Sequence, residues 1–171
     1  EKPIALEMAD AEELAALALA RGRVLMVGHL LQYHPAFLRL KQMVDNGDIG
    51  QLRYVYSNRL NMGKLRREEN VLWSFAPHDL SMILALAGET PNRVWATGQA
   101  FLNKRTADTT MTHMEFRSGL AGHIYVSWLH PIKEQRLVVI GDRGMLLFDD
   151  AQPWREKLMH YPHAVEWKHG M

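Results

Sequence analysis

Residues 70–88 read NVLWSFAPHDLSMILALAG, and this stretch decides the fold more than any other in the chain. Its second half places apolar residues at i, i+3, i+4 and i+7, a spacing that predicts an amphipathic helix facing a core. The stripe consists of Leu80, Ile83, Leu84 and Ala87. Proline is favoured in the first helical turn and glycine just past the last residue, so Pro77 and Gly88 predict where the helix begins and ends.

A helix that begins at Pro77 has His78 and Asp79 in its first turn, at the positive end of the helix dipole. A positive helix end favours neutral histidine, whose unperturbed pKa is about 6.5, and a neutral imidazole can act as a general base. The same positions also fit a structural interpretation, in which Asp79 caps the helix and His78 is a buried histidine without a chemical role.

Composition excludes several classes of protein. The 171 residues are 47% hydrophobic and 23% charged, which is ordinary for a soluble globular domain. With 20 basic and 19 acidic residues the net charge is +1, so we expect neither nucleic acid nor a membrane surface as partner. The absence of cysteine excludes disulfides, a thiolate nucleophile and cysteine zinc sites, and fits a cytoplasmic location.

The first 29 residues have the pattern of part of a βαβ unit. Residues 8–21 predict a helix that Gly22 ends, and the apolar run at 24–28 predicts a buried parallel strand. No G-x-G-x-x-G fingerprint occurs in the chain, so the half of a Rossmann domain that binds a pyrophosphate is not expected here. We therefore interpret residues 1–29 as the C-terminal remnant of a dinucleotide-binding domain.

Residues 30–171 predict a separate α+β domain. A helix begins at Pro35 and ends at Asn46-Gly47, and strands joined by turn residues dominate after the central helix. The predicted strands span residues 52–61, 93–102, 109–116, 120–129, 136–140 and 145–148. Hairpin spacing predicts a largely antiparallel open sheet with helices on one face. The other face carries apolar and aromatic residues and is a candidate dimer interface, whereas the last twenty residues show no clear period.

Two polar segments of this domain allow more than one interpretation. The loop at 61–70 is typical of a solvated surface, but Arg59, Lys64 or Arg67 could instead bind a phosphate or carboxylate of a substrate. In the crossover HLLQYH, one of His29, Gln32 and His34 is a candidate site residue. No third ligand stands at metal-binding spacing, so we predict no metal site there or at the histidines near the C-terminus.

WSFAPHDLSMIL, together with the opening Glu1-Lys2-Pro3, resembles the Gfo/Idh/MocA oxidoreductase family. In that family a lysine of an E-K-P motif and a histidine of a D-x-x-x-H segment flank the substrate carbon that faces the nicotinamide. The resemblance implies that Lys2 and His78 are the catalytic pair. Ser74 holds the position of the family's aspartate, which is a departure from the pattern. Because the family's pyrophosphate-binding half precedes E-K-P, we expect this sequence to be a fragment.

The resemblance also implies further site residues and a reaction. Glu1, Lys2, Pro3 and His29 would lie at a NAD or NADP cofactor. The substrate would contact Asn58, Arg59, Lys64, Trp73 and Asp79. His78 would accept the proton of a secondary alcohol while Lys2 stabilises the forming alkoxide.

The segment at 58–79 is similar to the branch of the family that oxidises sugar nucleotides, so a sugar or a UDP-N-acetylhexosamine is the expected substrate. A homo-oligomer through the open sheet face is the expected assembly. Two rival hypotheses remain. One is a non-catalytic relative that uses the same cleft for binding or dimerisation. The other is an enzyme that uses tightly held NAD transiently to cleave a glycoside.

Overall fold

The computed structural model describes residues 2–63 and 65–165, so Glu1, Lys64 and residues 166–171 lie outside the described residues. Three α-helices are formed: α1 Met8–Ala20, α2 Pro35–Asp45 and α3 Val71–Ala87. Short 3-10 helices lie at Leu30–Tyr33 and Trp154–Glu156. The strands are β1 Leu52–Leu60, β2 Arg93–Gln99, β3 Thr109–Glu115, β4 Ala121–Ser127, β5 Glu134–Gly141, β6 Gly144–Asp149 and β7 Leu158–Pro162.

The seven strands form one open sheet in the order β2-β3-β4-β1-β5-β6-β7. Every neighbouring pair is antiparallel except β1 and β4, which run parallel in register from Tyr54 opposite Ala121 to Leu60 opposite Ser127. The chain between β1 and β4 includes α3, which packs on this central pair, while α2 packs near β6 and β7. The predicted α+β class and the largely antiparallel open sheet are therefore confirmed.

The core lies between the helices and one face of the sheet. Alternation along β4 buries Ile124 and Val126, with Trp128 just beyond the strand, as the sequence pattern predicts. The hairpin between β3 and β4 also turns as expected, with Gly119 at φ 88°. On β1 the side facing the helices is formed by Val55, Ser57 and Arg59, so two polar side chains enter the core there.

Helix α3 differs from the prediction at its start and in its buried face. It begins after Asn70, whose side chain accepts a hydrogen bond from the backbone of Trp73, and Pro77 lies inside the helix. It ends at Gly88 in the left-handed conformation, as predicted. The predicted stripe was wrong in part, because Leu80 is 38% exposed whereas Asp79 is buried. The helix is apolar around most of its circumference, so periodicity could not select the buried face.

Two other predictions fail at the ends of the described chain. Residues 24–28 form no strand, and Val24 is 95% exposed, because none of the described strands lies beside this run to pair with it. The segment expected to be irregular instead contributes edge strand β7, paired with β6. Most residues of β7 are exposed on both faces, so apolar and polar residues do not alternate along it. No strand pattern is therefore visible in the sequence there. None of the helices in the described ranges is both long and apolar enough to cross a bilayer.

Candidate functional site

The N-terminal segment contacts α3 near its start. The Lys2 Nζ donates a hydrogen bond of 2.8 Å to the backbone carbonyl oxygen of Ser74. Residues four positions apart lie on the same face of a helix. Ser74 and His78, which are one turn apart, therefore share a face of α3. The structure thus brings together the lysine and the histidine that the motif resemblance selects, with Ser74 at the point of contact.

His78 is half-buried beside four other charged or titratable groups. Burial and, to a smaller extent, the charges of Arg59 and Lys2 lower its pKa to about 4. Asp79 opposes this shift and His29 adds slightly to it. The neutral form expected from the sequence is therefore favoured, but for a different reason. His78 lies beyond the first turn of α3, so burial and neighbouring charges replace the helix dipole as the cause.

His29 approaches the same ring from the crossover between the two predicted domains. The two imidazoles meet edge to face, with their centroids 6.2 Å apart. Burial, together with the charge of Lys2, lowers the pKa of His29 as well. The Nδ1 atoms of His29 and His78 are both buried and have no hydrogen-bond partner within the described chain. Two neutral rings with unsatisfied nitrogens beside a lysine are a chemically competent proton-transfer arrangement.

Arg59 and Asp79, which we predicted to bind substrate, form a buried ion pair with each other. The Arg59 Nε lies 2.6 Å from Asp79 Oδ2, and its Nη2 lies 3.2 Å from Oδ1. Ser57 Oγ also donates to Oδ1. Asp79 is 1% exposed, so its carboxylate is committed to these partners and is not open to a ligand. The alternative that Asp79 caps α3 is wrong too, because Asn70 caps it.

The other predicted site residues are divided between two places. Trp73 is 43% exposed and lies, like Pro3, on the side of α3 that the N-terminal segment approaches. Asn58 is on the opposite face of β1 from Arg59 and donates a 2.7 Å hydrogen bond to Glu134, so it is not brought together with His78. Glu1 and Lys64 fall on positions that the structure does not describe. Gln32 holds the crossover against α3 through a 2.6 Å hydrogen bond to the Ser81 carbonyl.

A cavity of about 620 Å³ lies between α3, the N-terminal segment and strands β2 to β4, and neither Lys2 nor His78 is in its wall. Its walls are almost entirely apolar and include Pro3, Val27, His29, Trp73, Leu80 and Leu84. A second cavity, of about 310 Å³, lies on the other side of Trp73 and is more polar, with Glu69 and Arg105 in its wall. Sequence reasoning missed the larger cavity because it assigned Leu80 and Leu84 to the core. Among the described residues no three His, Asp or Glu side chains are grouped as a metal site requires.

The described chain thus combines an open sheet that carries helices on one face with a lysine held one helical turn before a histidine. The sequence profile of the GFO/IDH/MocA C-terminal domain matches residues 37–147. The chain therefore belongs to the GFO/IDH/MocA family, as the resemblance in its motifs predicted.

Several proteins of known name resemble this chain over most of its length. UDP-N-acetylglucosamine 3-dehydrogenase of Acidithiobacillus ferrooxidans is 32% identical over 128 residues, which are 74% of this chain and 39% of that protein. One of its crystal structures superposes with a TM-score of 0.81 at 26% identity, covering 98% of this chain and 54% of the other.

An inositol dehydrogenase homologue of Azotobacter vinelandii, solved with NADH and myo-inositol, shares the fold at a TM-score of 0.78 and 22% identity. The match covers 94% of this chain and 48% of that protein. The chain thus spans about half the length of the proteins it matches, or less.

Proposed function

We propose that the whole protein to which this chain belongs is an NAD(P)-dependent dehydrogenase that oxidises a secondary alcohol of a sugar or sugar nucleotide. The observation that carries the proposal is the contact of Lys2 with the turn of α3 that precedes His78. It brings the two motif residues close to each other, and their chain neighbours Pro3 and Pro77 line the cavity. In this proposal residues 1–29 end a dinucleotide-binding domain, and residues 30–171 form the substrate-binding and dimerisation domain.

The chemistry follows from the protonation states of the two residues. His78, kept neutral by burial and nearby charge, accepts the proton of the substrate hydroxyl. Lys2 places a positive charge beside the alkoxide that forms and stabilises it. A bound nicotinamide would supply the acceptor for the hydride that leaves the substrate carbon. Pro3 and His29, which line the cavity and include the buried Nδ1 of His29, are the residues that would hold its ring.

A UDP-N-acetylhexosamine is the substrate that we favour. Support comes from the relative of Acidithiobacillus ferrooxidans, which is a UDP-N-acetylglucosamine 3-dehydrogenase and is 32% identical over the matched region. The loop at 61–70 supplies Arg66 and Arg67, exposed cations of the kind that contact a diphosphate. Arg66 is paired with Glu69 at 2.8 Å, so Arg67 is the better candidate of the two.

The test is an oxidation panel with the purified whole protein. UDP-N-acetylglucosamine, free N-acetylglucosamine and myo-inositol are each mixed with NAD or NADP, and reduced nicotinamide is followed by its absorbance. Turnover with the nucleotide sugar, and its loss in His78→Asn, is expected. Turnover with inositol alone would overturn the substrate assignment. Cofactor binding with no turnover on any alcohol would favour a non-catalytic relative, the alternative that Ser74 in place of the family's aspartate supports.

We also propose that the open sheet face joins two copies of the protein. A row of rings crosses this face in register, with Trp95 stacked on His113 and Tyr56 stacked on His123. The two histidines lie 5.9 Å apart between these pairs. A half-exposed aromatic row without a covering helix is typical of an interface. Trp95→Lys should lower the sedimentation coefficient to that of a monomer, and an unchanged coefficient would argue against this face.

A further inference from the structure

The Arg59–Asp79 pair is notable because both members of an ion pair are largely excluded from solvent, within a core made mainly of apolar side chains. The side chain of Arg59 is 11% exposed and that of Asp79 is 1% exposed. Burying such a pair costs desolvation energy, and an apolar pair of similar volume often stabilises a fold equally well. Stability alone therefore does not account for a guanidinium at this position.

The location of the pair indicates what it serves. Asp79 directly follows His78 in α3, and Arg59 lies near the end of β1, the strand beneath this helix. Two nitrogens of the Arg59 guanidinium bind the two carboxylate oxygens of Asp79, at 2.6 and 3.2 Å. This two-point contact fixes the direction of the Asp79 side chain. Ser57 adds a hydrogen bond from the same strand, with its own position fixed through the Arg136 carbonyl. One turn of α3 is thus fastened to the sheet at the residue next to His78.

We propose that the buried Arg59–Asp79 pair is a positioning element for His78, which fastens its turn of α3 to β1 and keeps a guanidinium charge beside the imidazole. The proposal deepens the function proposed above and rests on it for its consequence in catalysis. In this proposal Arg59 and Asp79 affect the reaction by holding His78 in position, and they do not contact the substrate.

The charges around His78 determine the sign of the expected effect. Lys2 approaches from the N-terminal segment, His29 from the crossover, Arg59 from β1 and Asp79 from α3 itself. After burial, the charge of Arg59 is the largest influence that lowers the pKa of His78, and it outweighs the opposing influence of Asp79. Removing both charges should raise the pKa, whereas removing Asp79 alone should lower it.

The direct experiment is an NMR titration of the imidazoles in the 171-residue chain, labelled with 15N at histidine. In the Arg59→Met/Asp79→Leu double variant the pKa of His78 should rise, but by less than the roughly one unit that a single nearby charge contributes, because the loss of Asp79 offsets part of the loss of Arg59. Arg59→Lys retains the charge but not the fork, and should leave the pKa within a few tenths of the original value. An unchanged pKa in the double variant would overturn the proposal.

A matched control pair exists in the same sheet. Arg136 and Asp149 are joined by a 2.7 Å contact between β5 and β6, and neither of them contributes to the pKa of His78. Arg136→Met/Asp149→Asn should therefore leave the titration of His78 unchanged. Should the Arg59→Met/Asp79→Leu protein fail to fold by circular dichroism, Asp79→Asn, which keeps the shape of the side chain, replaces it. In that variant the pKa must fall, and a raised or unchanged value contradicts the proposal.

The catalytic consequence is tested separately in the whole protein. The acidic limb of the pH profile of kcat/KM should move to higher pH in the double variant, by the same amount as the NMR shift, with little change in KM for the substrate. Replacing a residue that binds substrate would instead raise KM at all pH values. If the whole protein oxidises no alcohol, the proposed function fails, whereas the NMR titration still decides the role of the pair. If the whole protein is active but the acidic limb of its pH profile does not move, the positioning role is wrong and the proposed function is unaffected.

Discussion

The Lys2 Nζ donates a 2.8 Å hydrogen bond to the carbonyl oxygen of Ser74, a residue 72 positions away in the sequence. The contact holds the N-terminal segment against α3, one turn before His78. It therefore couples the predicted end of one domain to the helix of the next. Because an ammonium group is placed beside an imidazole, the contact has consequences for turnover and for protonation, and both can be measured.

Lys2→Met should lower kcat in the whole protein, because the charge that stabilises the forming alkoxide is lost. Loss of one such electrostatic group typically costs about 10²–10³-fold. The pKa of His78 should rise in the same variant, since the Lys2 charge is one of the causes that lower it. Steady-state kinetics and NMR titration measure the two effects. Lys2→Arg, which keeps the charge, is the control, and full activity in Lys2→Met would remove Lys2 from the mechanism.

His78→Asn should lower kcat by about 10²–10⁴-fold, which is the usual contribution of a general base. Asparagine is similar in size, so the cavity near α3 and the melting temperature should change little. The matched control is His130→Asn, a histidine in the loop after β4 whose Nδ1 contacts the Ile132 carbonyl. Equal losses in both variants would indicate a general effect of histidine replacement on folding, and the assignment of His78 would fail.

The free energy of unfolding should fall as the pH is lowered from about 6.5 to about 4. In the native state burial lowers the pKa of His78 to about 4, whereas in the unfolded chain it returns to the ordinary 6.5. The unfolded chain thus binds more protons in this window, and protonation favours it. His29 and His123, whose pKa values burial also lowers, act in the same direction.

Urea denaturation of the 171-residue chain at pH 7, 6 and 5 measures this dependence. In His78→Asn the decrease between pH 7 and 5 should be smaller than in the original chain, because one of the three titrating groups is gone. The same decrease in both proteins would show that His78 is not protonated differentially on unfolding.

Trp128→Phe should destabilise the domain by about 2 kcal/mol, because a buried carboxylate oxygen loses its donor. The indole nitrogen of Trp128 donates a 2.6 Å hydrogen bond to Asp108 Oδ1, and both residues are at most 2% exposed. Burial raises the pKa of Asp108, but this bond and those from the Leu102 and Phe101 backbone lower it overall. Chemical denaturation measures the change. The control is Trp95→Phe at a 41% exposed position, and an equal loss there would contradict the prediction.

The sequence predicted the sheet better than it predicted the central helix. Strands β3, β4 and β6 alternate between buried and half-buried positions over most of their length, and Gly119 marks the turn between β3 and β4, so local pattern was sufficient there. In α3 apolar residues occur on nearly every side, so neither the buried face nor the start at Asn70 could be read from spacing. The apolar run at 24–28 predicted a strand, but it forms none, because a strand also needs a second strand to pair with through backbone hydrogen bonds.

For the site, the sequence selected Lys2 and His78 through the resemblance of their motifs, but it did not predict why His78 should be neutral. It also assigned Arg59 and Asp79 to a substrate, because the resemblance implied these contacts and a guanidinium fits a phosphate or carboxylate. Only the tertiary structure revealed that they bind each other.

The alternation of most strands and the positions of the turns followed from the sequence alone. Both depend on neighbours within a few positions, where the pleat and helical repeats act directly on the chain. The contact of Lys2 with Ser74, the burial of His78 and the pairing of Arg59 with Asp79 were decided only by the tertiary structure. Burial and ion pairing depend on which distant segments exclude water from a group, and no local pattern specifies that.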